Sequence, residues 1–149
     1  SKGTESYNES LTLQKGLEPQ VFEIQEQGQT WTFGLSICYD IRFPELYRAM
    51  GKVDCHLIPA AFTYTTGSAH WEVLLRARAI ENQCYVLASA QGGLHDNGRQ
   101  TWGHSMLISP WGEISSQLEN GEGFILGELN RPELDDVRAN LPALTHRSL

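Results

Sequence analysis

The stretch Gly34-Leu35-Ser36-Ile37-Cys38-Tyr39-Asp40-Ile41-Arg42-Phe43-Pro44-Glu45 does most to limit what this chain can fold into. At its start Trp31, Phe33, Leu35 and Ile37 alternate with Thr32, Gly34 and Ser36, the period-two pattern of a strand. Gly34 and Ser36 are small, so close packing is expected on that face too. Pro44 suits the first turn of a helix carrying Glu45, Leu46, Tyr47 and Met50. A strand thus ends at Cys38, and a helix begins a few residues later. Strand–turn–helix geometry lifts a side chain out of the sheet edge and sets backbone N–H groups around it. A thiolate there is a strong nucleophile, and a helix N-terminus or a nearby cation lowers a thiol pKa. The backbone N–H of Tyr39 is placed to hold a developing oxyanion. The competing reading of Cys38 is a buried, inert strand cysteine.

Other segments alternate between strand and helix patterns. Residues 1–19 are polar and aperiodic and read as a loop. Val21 to Ile24 reads as a short strand, followed by a turn at Gln27-Gly28-Gln29. Cys55 to Pro59 and Cys84 to Ala90 read as buried strands. Between them Ser68 can cap a helix through Trp71, Leu74, Leu75, Ala79 and Ile80 to Asn82. Ser105 to Ile108, a turn at Pro110-Trp111-Gly112-Glu113, and Ile114 to Leu118 form a strand pair. Gly123 to Leu129 reads as a further strand, and Arg131-Pro132 opens a last helix to about Asn140. The order, β-β-α-β-α-β followed by β-β-β-α, predicts a layered α/β fold. Arg78 and Glu81, three apart beside Arg76, read as a salt-bridged helix face.

Composition removes several function classes. The formal net charge is −7, which argues against nucleic acid or an anionic membrane as partner. No apolar run is long enough to cross a bilayer, and Ser1-Lys2-Gly3-Thr4 opens no signal-peptide apolar region. Cys38, Cys55 and Cys84 are odd in number and widely spaced, which reads as reduced thiols in a reducing compartment. Cys55 and Cys84 lie in apolar strand patterns that raise a thiol pKa, so both read as inert. Ser36 lies within the strand and is rejected as a nucleophile. His56, His70, His95, His104 and His146 show no zinc spacing, and there is no Cys-x-x-Cys pair, so no metal or cofactor is expected. His70 and His104 read as hydrogen-bonded structural residues.

The segment Cys38-Tyr39-Asp40-Ile41-Arg42-Phe43-Pro44-Glu45 resembles the cysteine signature of the nitrilase superfamily. The resemblance continues through Pro59-Ala60-Ala61-Phe62-Thr63, Thr66-Gly67-Ser68-Ala69-His70-Trp71-Glu72 and Leu74-Leu75-Arg76-Ala77-Arg78-Ala79-Ile80-Glu81-Asn82. It extends to Gly103-His104-Ser105-Met106 and Pro110-Trp111-Gly112-Glu113. It implies an α-β-β-α sandwich and hydrolysis of a carbon–nitrogen bond through a thioester. It also implies a Glu–Lys–Cys triad in which Glu is the general base, Lys stabilises the tetrahedral intermediate and Cys attacks. By this resemblance Cys38 is the nucleophile, and Phe62, Thr63, His70 and Trp71 belong to the substrate-binding region of a small-molecule amide; a helix-core anchor is the other reading of Trp71.

Arg42-Phe43-Pro44-Glu45, with Gln91 and Gly103 to Met106, most resembles the deaminated glutathione amidases. The omega-amidase branch, which shares His70-Trp71-Glu72, is the alternative. Both branches act on amides of 2-oxo-dicarboxylic acids. The family's general-base Glu and its Lys precede the matched segments. Lys2 and Lys15 lack the following His-Leu of the family lysine motif. Glu9, in Tyr7-Asn8-Glu9-Ser10, resembles a second family glutamate that helps position substrate and base; a solvated loop carboxylate is the other reading. Residues 1–149 are therefore expected to be a partial carbon–nitrogen hydrolase domain without its N-terminal part, inactive alone or a non-catalytic remnant. The resemblance further implies a homodimer or higher homo-oligomer using the helix from Ser68 to Asn82. The expected location is cytoplasmic, or mitochondrial where a targeting segment precedes the chain.

Overall fold

A computed structural model describes residues 16–148. Its longer strands are β1 (Gln20–Glu26), β2 (Gln29–Leu35), β3 (Cys55–Ala60) and β4 (Tyr85–Ala90). The short arms β5 (Gly92–Leu94) and β6 (Gln100–Trp102) follow, then β7 (Ser105–Ile108) and β8 (Ile114–Leu118). The helices are α1 (Pro44–Ala49), the single turn α2 (Tyr64–Thr66), α3 (Glu72–Asn82) and α4 (Arg131–Asn140). Six strands form one sheet in the order β1-β2-β3-β4-β7-β8, and β5 and β6 pair as a small separate hairpin. β2, β3 and β4 are parallel neighbours, so their C-terminal ends share one edge of the sheet. The other pairings are antiparallel.

Strand alternation decides which side chains meet the helices. Ile58, Val86, Ala88, Met106 and Ile108 point to one face and pack with Ile41, Tyr47, Trp71, Leu75 and Ala79. Gly34 lies on that face because nothing larger fits. A Cβ there would stand 2.6 Å from Nδ1 of His56 and 2.7 Å from Sδ of Met50. On the opposite face Trp31, Cys55, Tyr85 and Leu107 pack with Leu134 of α4, joined by Phe33, Leu57, Ile125 and Leu129. Asp54 ties α4 to the strand starts. Its carboxylate accepts from Thr32 N–H at 2.9 Å, from Arg131 at 3.0 and 3.1 Å, and from Arg138 at 3.1 Å. Burial alone would raise its pKa, but the bonds from Arg131, Thr32 and Arg138 outweigh it and hold the carboxyl below its ordinary value.

Several sequence expectations change. The helix expected to start at Ser68 is preceded by α2, which follows Thr63, and by a wide π turn over Gly67–Trp71. Ser68 is not its cap; its hydroxyl donates to the carbonyl of Thr65. Gly67 permits this path, since a Cβ there would stand 2.3 Å from Cβ of Trp102. The strand expected over Gly123 to Leu129 has the right alternation, with Ile125 and Leu129 inward and Phe124 and Leu126 each 80% exposed. It forms no ladder among the described residues, and a strand requires a hydrogen-bonded neighbour. The hairpin β5–β6 was not expected, although Asn97-Gly98 between its arms is a turn signal. Arg78 and Glu81 pair at 2.7 Å as their spacing suggests, but the Arg78 side chain is only 6% exposed. Glu9, Lys2 and Lys15 lie outside the described residues, as does most of the polar opening segment.

His56 is fully buried on the helix face, edge-on to the Tyr47 ring, and neither ring nitrogen has a hydrogen-bond partner. Burial, with a smaller push from Arg78, lowers its pKa from 6.5 to about 4. The native state therefore keeps His56 neutral where the unfolded chain already takes up a proton. Stability should fall as pH drops from about 6.5 towards 4, by at most about 3 kcal/mol at 1.36 kcal/mol per pKa unit. Urea unfolding at pH 7.5 and pH 4.5 should show this loss, and His56→Leu should reduce it; an unchanged pH dependence in that variant would contradict the assignment.

Candidate active site

Three side-by-side strand ends build the candidate site. β2 stops at Leu35, and Ser36 and Ile37 lead into a 3-10 turn over Cys38–Arg42. β3 runs out into Ala61, Phe62 and Thr63, and β4 into Gln91. The hairpin laces these exits together. Gln91 N–H donates to Ala60 at 2.9 Å, Trp102 N–H to Phe62 at 2.9 Å, and Gly103 N–H to Gln91 at 3.1 Å. Ligands of parallel α/β sheets bind at this edge, because strand ends present loops and helix starts there.

Cys38 is partly exposed, with a free thiol and a backbone φ of +47°. A non-glycine residue there meets steric cost and persists only where its surroundings hold it. Asp40 supplies part of that hold: its carboxylate accepts Ile37 N–H at 2.9 Å, and its N–H donates to Ile37 C=O at 3.0 Å. Tyr39 occupies the first turn, where backbone N–H groups have no partner within the helix. Ser36 is buried with Oγ 2.7 Å from the Tyr47 hydroxyl, so it braces the strand end. Burial, opposed by the Ser36 hydrogen bond and by Arg78, pushes Tyr47 up to about 12 and keeps it a neutral phenol. The other two thiols are buried; burial raises Cys55 to about 12 and Cys84 further still.

Arg42, at the end of the turn, has its guanidinium carbon 5.5 Å from the centre of the Tyr39 ring and 5.2 Å from that of Phe62. Its Nη1 donates to Nδ1 of His70 at 3.3 Å, which makes that nitrogen the acceptor. Arg42 has no carboxylate in ion-pair contact among the described residues. Thr63 and His70 are at least partly open to solvent, and the Thr63 hydroxyl lies 2.9 Å from that of Thr66. Phe62 and Trp71 are buried, ring centres 4.9 Å apart, and Trp71 Nε1 donates to the carbonyl of His104 at 2.9 Å. They form the wall behind the site, whereas Thr63 and His70 stand at its surface. His104 stacks on Trp102 at 4.0 Å, and its Nδ1 donates to the Trp102 carbonyl at 2.9 Å. Arg42 is the residue the sequence reading passed over. Its signal was a cation in the Cys38–Arg42 turn itself. No cluster of three or more His, Cys, Asp or Glu suited to a metal occurs among the described residues, and no described helix is long and apolar enough to cross a membrane.

Comparison with known proteins agrees with this geometry. Residues 2–139 match the family model described as carbon-nitrogen hydrolase. A deaminated glutathione amidase of Synechocystis sp. is 48% identical over 145 residues, 95% of this chain and 52% of that protein. The human deaminated glutathione amidase is 47% identical over 116 residues, covering 76% of this chain and 36% of its own length. The solved structure of Saccharomyces cerevisiae Nit3, a member of branch 10 of the nitrilase superfamily, superposes with a TM-score of 0.84 at 32% identity. That match spans 95% of this chain and 51% of the yeast chain. A mutant amidase from Nesterenkonia sp. AN1, solved with acrylamide added at its active-site cysteine, superposes at 0.65 with 28% identity over 87% of this chain and 50% of its own. The chain thus spans about half the length of the Synechocystis relative. A fold, a cysteine-bearing turn and a match across most of the chain agree, and the protein belongs to the carbon-nitrogen hydrolase family of the nitrilase superfamily.

Proposed function

We propose that this chain is the nucleophile-bearing part of an amidase that cleaves deaminated glutathione through a thioester at Cys38. One observation carries the reading: a partly exposed thiol sits in a positive-φ turn at the parallel strand ends, and that turn also carries an arginine without a carboxylate partner among the described residues. The Cys38 thiolate adds to the amide carbonyl carbon. Tyr39 N–H donates to the oxyanion, the carbon–nitrogen bond breaks as the amine leaves with the proton that the family's Glu took from the thiol, and water hydrolyses the thioester to the free acid and the thiol. Arg42 is an electrostatic fit for the carboxylate of a 2-oxo acid, held between Tyr39 and Phe62 with Thr63 and His70 beside it. The names of the Synechocystis and human relatives support deaminated glutathione over an omega-amidase substrate.

The Glu and the Lys of the family triad are to be sought in residues that accompany these in the complete protein, with Glu9 as an auxiliary carboxylate. Residues 1–149 are then one part of the carbon–nitrogen hydrolase domain. The exposed apolar side chains of Leu35, Leu87, Phe124 and Leu126 suit cover by the remainder. The outward face of α3, where Val73 and Ile80 are exposed, is the surface offered to a second copy in a cytoplasmic homodimer; sedimentation of the complete protein would detect it.

On the folded chain, iodoacetamide with peptide mapping should label Cys38 far ahead of Cys55 and Cys84. Faster labelling of either buried thiol would reject Cys38 as the nucleophile. In the complete protein, deaminated glutathione and 2-oxoglutaramate should turn over, with the former preferred. Cys38→Ala should abolish turnover. Arg42→Ala should raise KM for both by about tenfold to hundredfold, the cost of unpairing a charged contact. The 149-residue chain alone should give no multiple turnovers, since general-base assistance is worth about 10²–10⁴-fold. Turnover by the chain that vanishes in Cys38→Ala would place base and cation within it.

A further inference from the structure

Two side chains outside the solvent-facing site, Tyr47 and Arg78, make hydrogen bonds on either side of Cys38. Before it, Ser36 Oγ lies 2.7 Å from the hydroxyl of Tyr47. After it, the carbonyl of Ile41 accepts two bonds from the Arg78 guanidinium, from Nε at 2.9 Å and from Nη2 at 2.6 Å. The remaining Nη1 donates to Glu81 at 2.7 Å, and the guanidinium carbon lies 5.4 Å from the centre of the Tyr47 ring. One buried cluster on α1 and α3 therefore grips the turn at positions 36 and 41.

The sequence explains why Ile41 needs this partner. In a 3-10 turn the carbonyl of residue 41 would accept from the N–H of residue 44. Residue 44 is proline and has no N–H. Ile41 itself is fully buried, so the carbonyl has little recourse to solvent, and an unsatisfied buried carbonyl is costly. Pro44 starts α1 at the cost of that donor, and Arg78 replaces it from α3, reaching across the core. A buried guanidinium paired with one carboxylate and one carbonyl is more than a helix-surface salt bridge, because its second contact is the backbone of the nucleophile turn.

We propose that Arg78 is a positioning residue for Cys38: by supplying the donor that Pro44 lacks, it holds the turn in the positive-φ geometry that presents the thiol beside Tyr39 N–H. The proposal rests on Cys38 being the nucleophile. Arg78 does not touch substrate; it acts through the backbone of Ile41. Glu81 orients the guanidinium, and Tyr47 with Ser36 completes the grip on the strand side.

The test is the rate at which iodoacetamide labels Cys38 in the complete protein, read by peptide mapping, with labelling of Cys55 and Cys84 as the internal measure of folding. Arg78→Lys keeps the charge near Glu81 but cannot give Ile41 the same paired donors. It should slow Cys38 labelling about tenfold or more, the scale expected when a reacting group is misplaced by about an ångström, while Cys55 and Cys84 stay protected. Adding Pro44→Ala restores a backbone N–H at position 44 and should recover most of that loss. Leu134→Ala, a core variant in α4 on the far face, should leave Cys38 labelling within about twofold although it lowers stability. An Arg78→Lys chain that stays folded and labels Cys38 at the wild-type rate overturns the proposal, and so does a loss that Pro44→Ala does not relieve. Exposure of Cys55 and Cys84 in Arg78→Lys overturns it as well, since Arg78 would then serve the fold and not the turn. If wild-type Cys38 itself labels no faster than Cys55, the reading of Cys38 as nucleophile is what fails.

Discussion

The backbone of Cys38 at a φ of +47° is the constraint around which the rest is arranged. Such a conformation costs a residue with a Cβ about 1–2 kcal/mol. It survives because the turn is determined from several sides at once: Asp40 closes it locally, and Ile41 is packed into the helix-face core. α1 must begin directly after the turn, at Pro44, and α3 must lie close enough for Arg78 to reach the Ile41 carbonyl. Gly34 must be small so that His56 and Met50 fit beneath β2 and let α1 approach. A strained turn of this kind is paid for by packing elsewhere, which is why so much of the core touches it.

The two sheet faces have different relations to this turn. The helix face is dense and closed. It holds the buried aromatic pair Phe62 and Trp71, which back Arg42 and the strand ends. The opposite face is closed only towards the strand starts, where Asp54, Arg131 and Arg138 anchor α4. Towards the strand ends Leu35 and Leu87 remain exposed on it. Rigid cover thus lies behind the turn, and open surface lies in front of the strand ends.

Much of this was legible in the residues. The alternation through Trp31 to Ile37, followed by Pro44, places a strand, a turn and a helix correctly, and with them Cys38. The resemblance carried by the Cys38–Glu45 segment reaches the family directly. Local pattern failed where hydrogen-bond partners are remote. Gly123 to Leu129 alternates like a strand, yet no neighbouring strand among the described residues offers it a ladder. Ser68 has the chemistry of a helix cap, but the chain is already helical by Tyr64, because Gly67 lets the backbone close against Trp102. Arg78 and Glu81 do pair at their spacing of three residues. Spacing along a helix says nothing about what lies across from it, and there Arg78 meets a carbonyl that proline had left without a donor.

By itself the sequence determined most of the order of elements, the strand, turn and helix around Cys38, the apolar setting of Cys55 and Cys84, and the family. All of these follow from local periodicity or from short contiguous motifs, which need no knowledge of the fold. Only the tertiary structure decided that Phe62 and Trp71 stand behind the site while Thr63 and His70 stand at its surface. It alone brought Arg42 onto Tyr39, Phe62 and His70, and Arg78 onto Ile41. The reason is physical: burial and hydrogen-bond partnership depend on which chain segments cross in space, and these segments are separated in sequence by whole strands and helices.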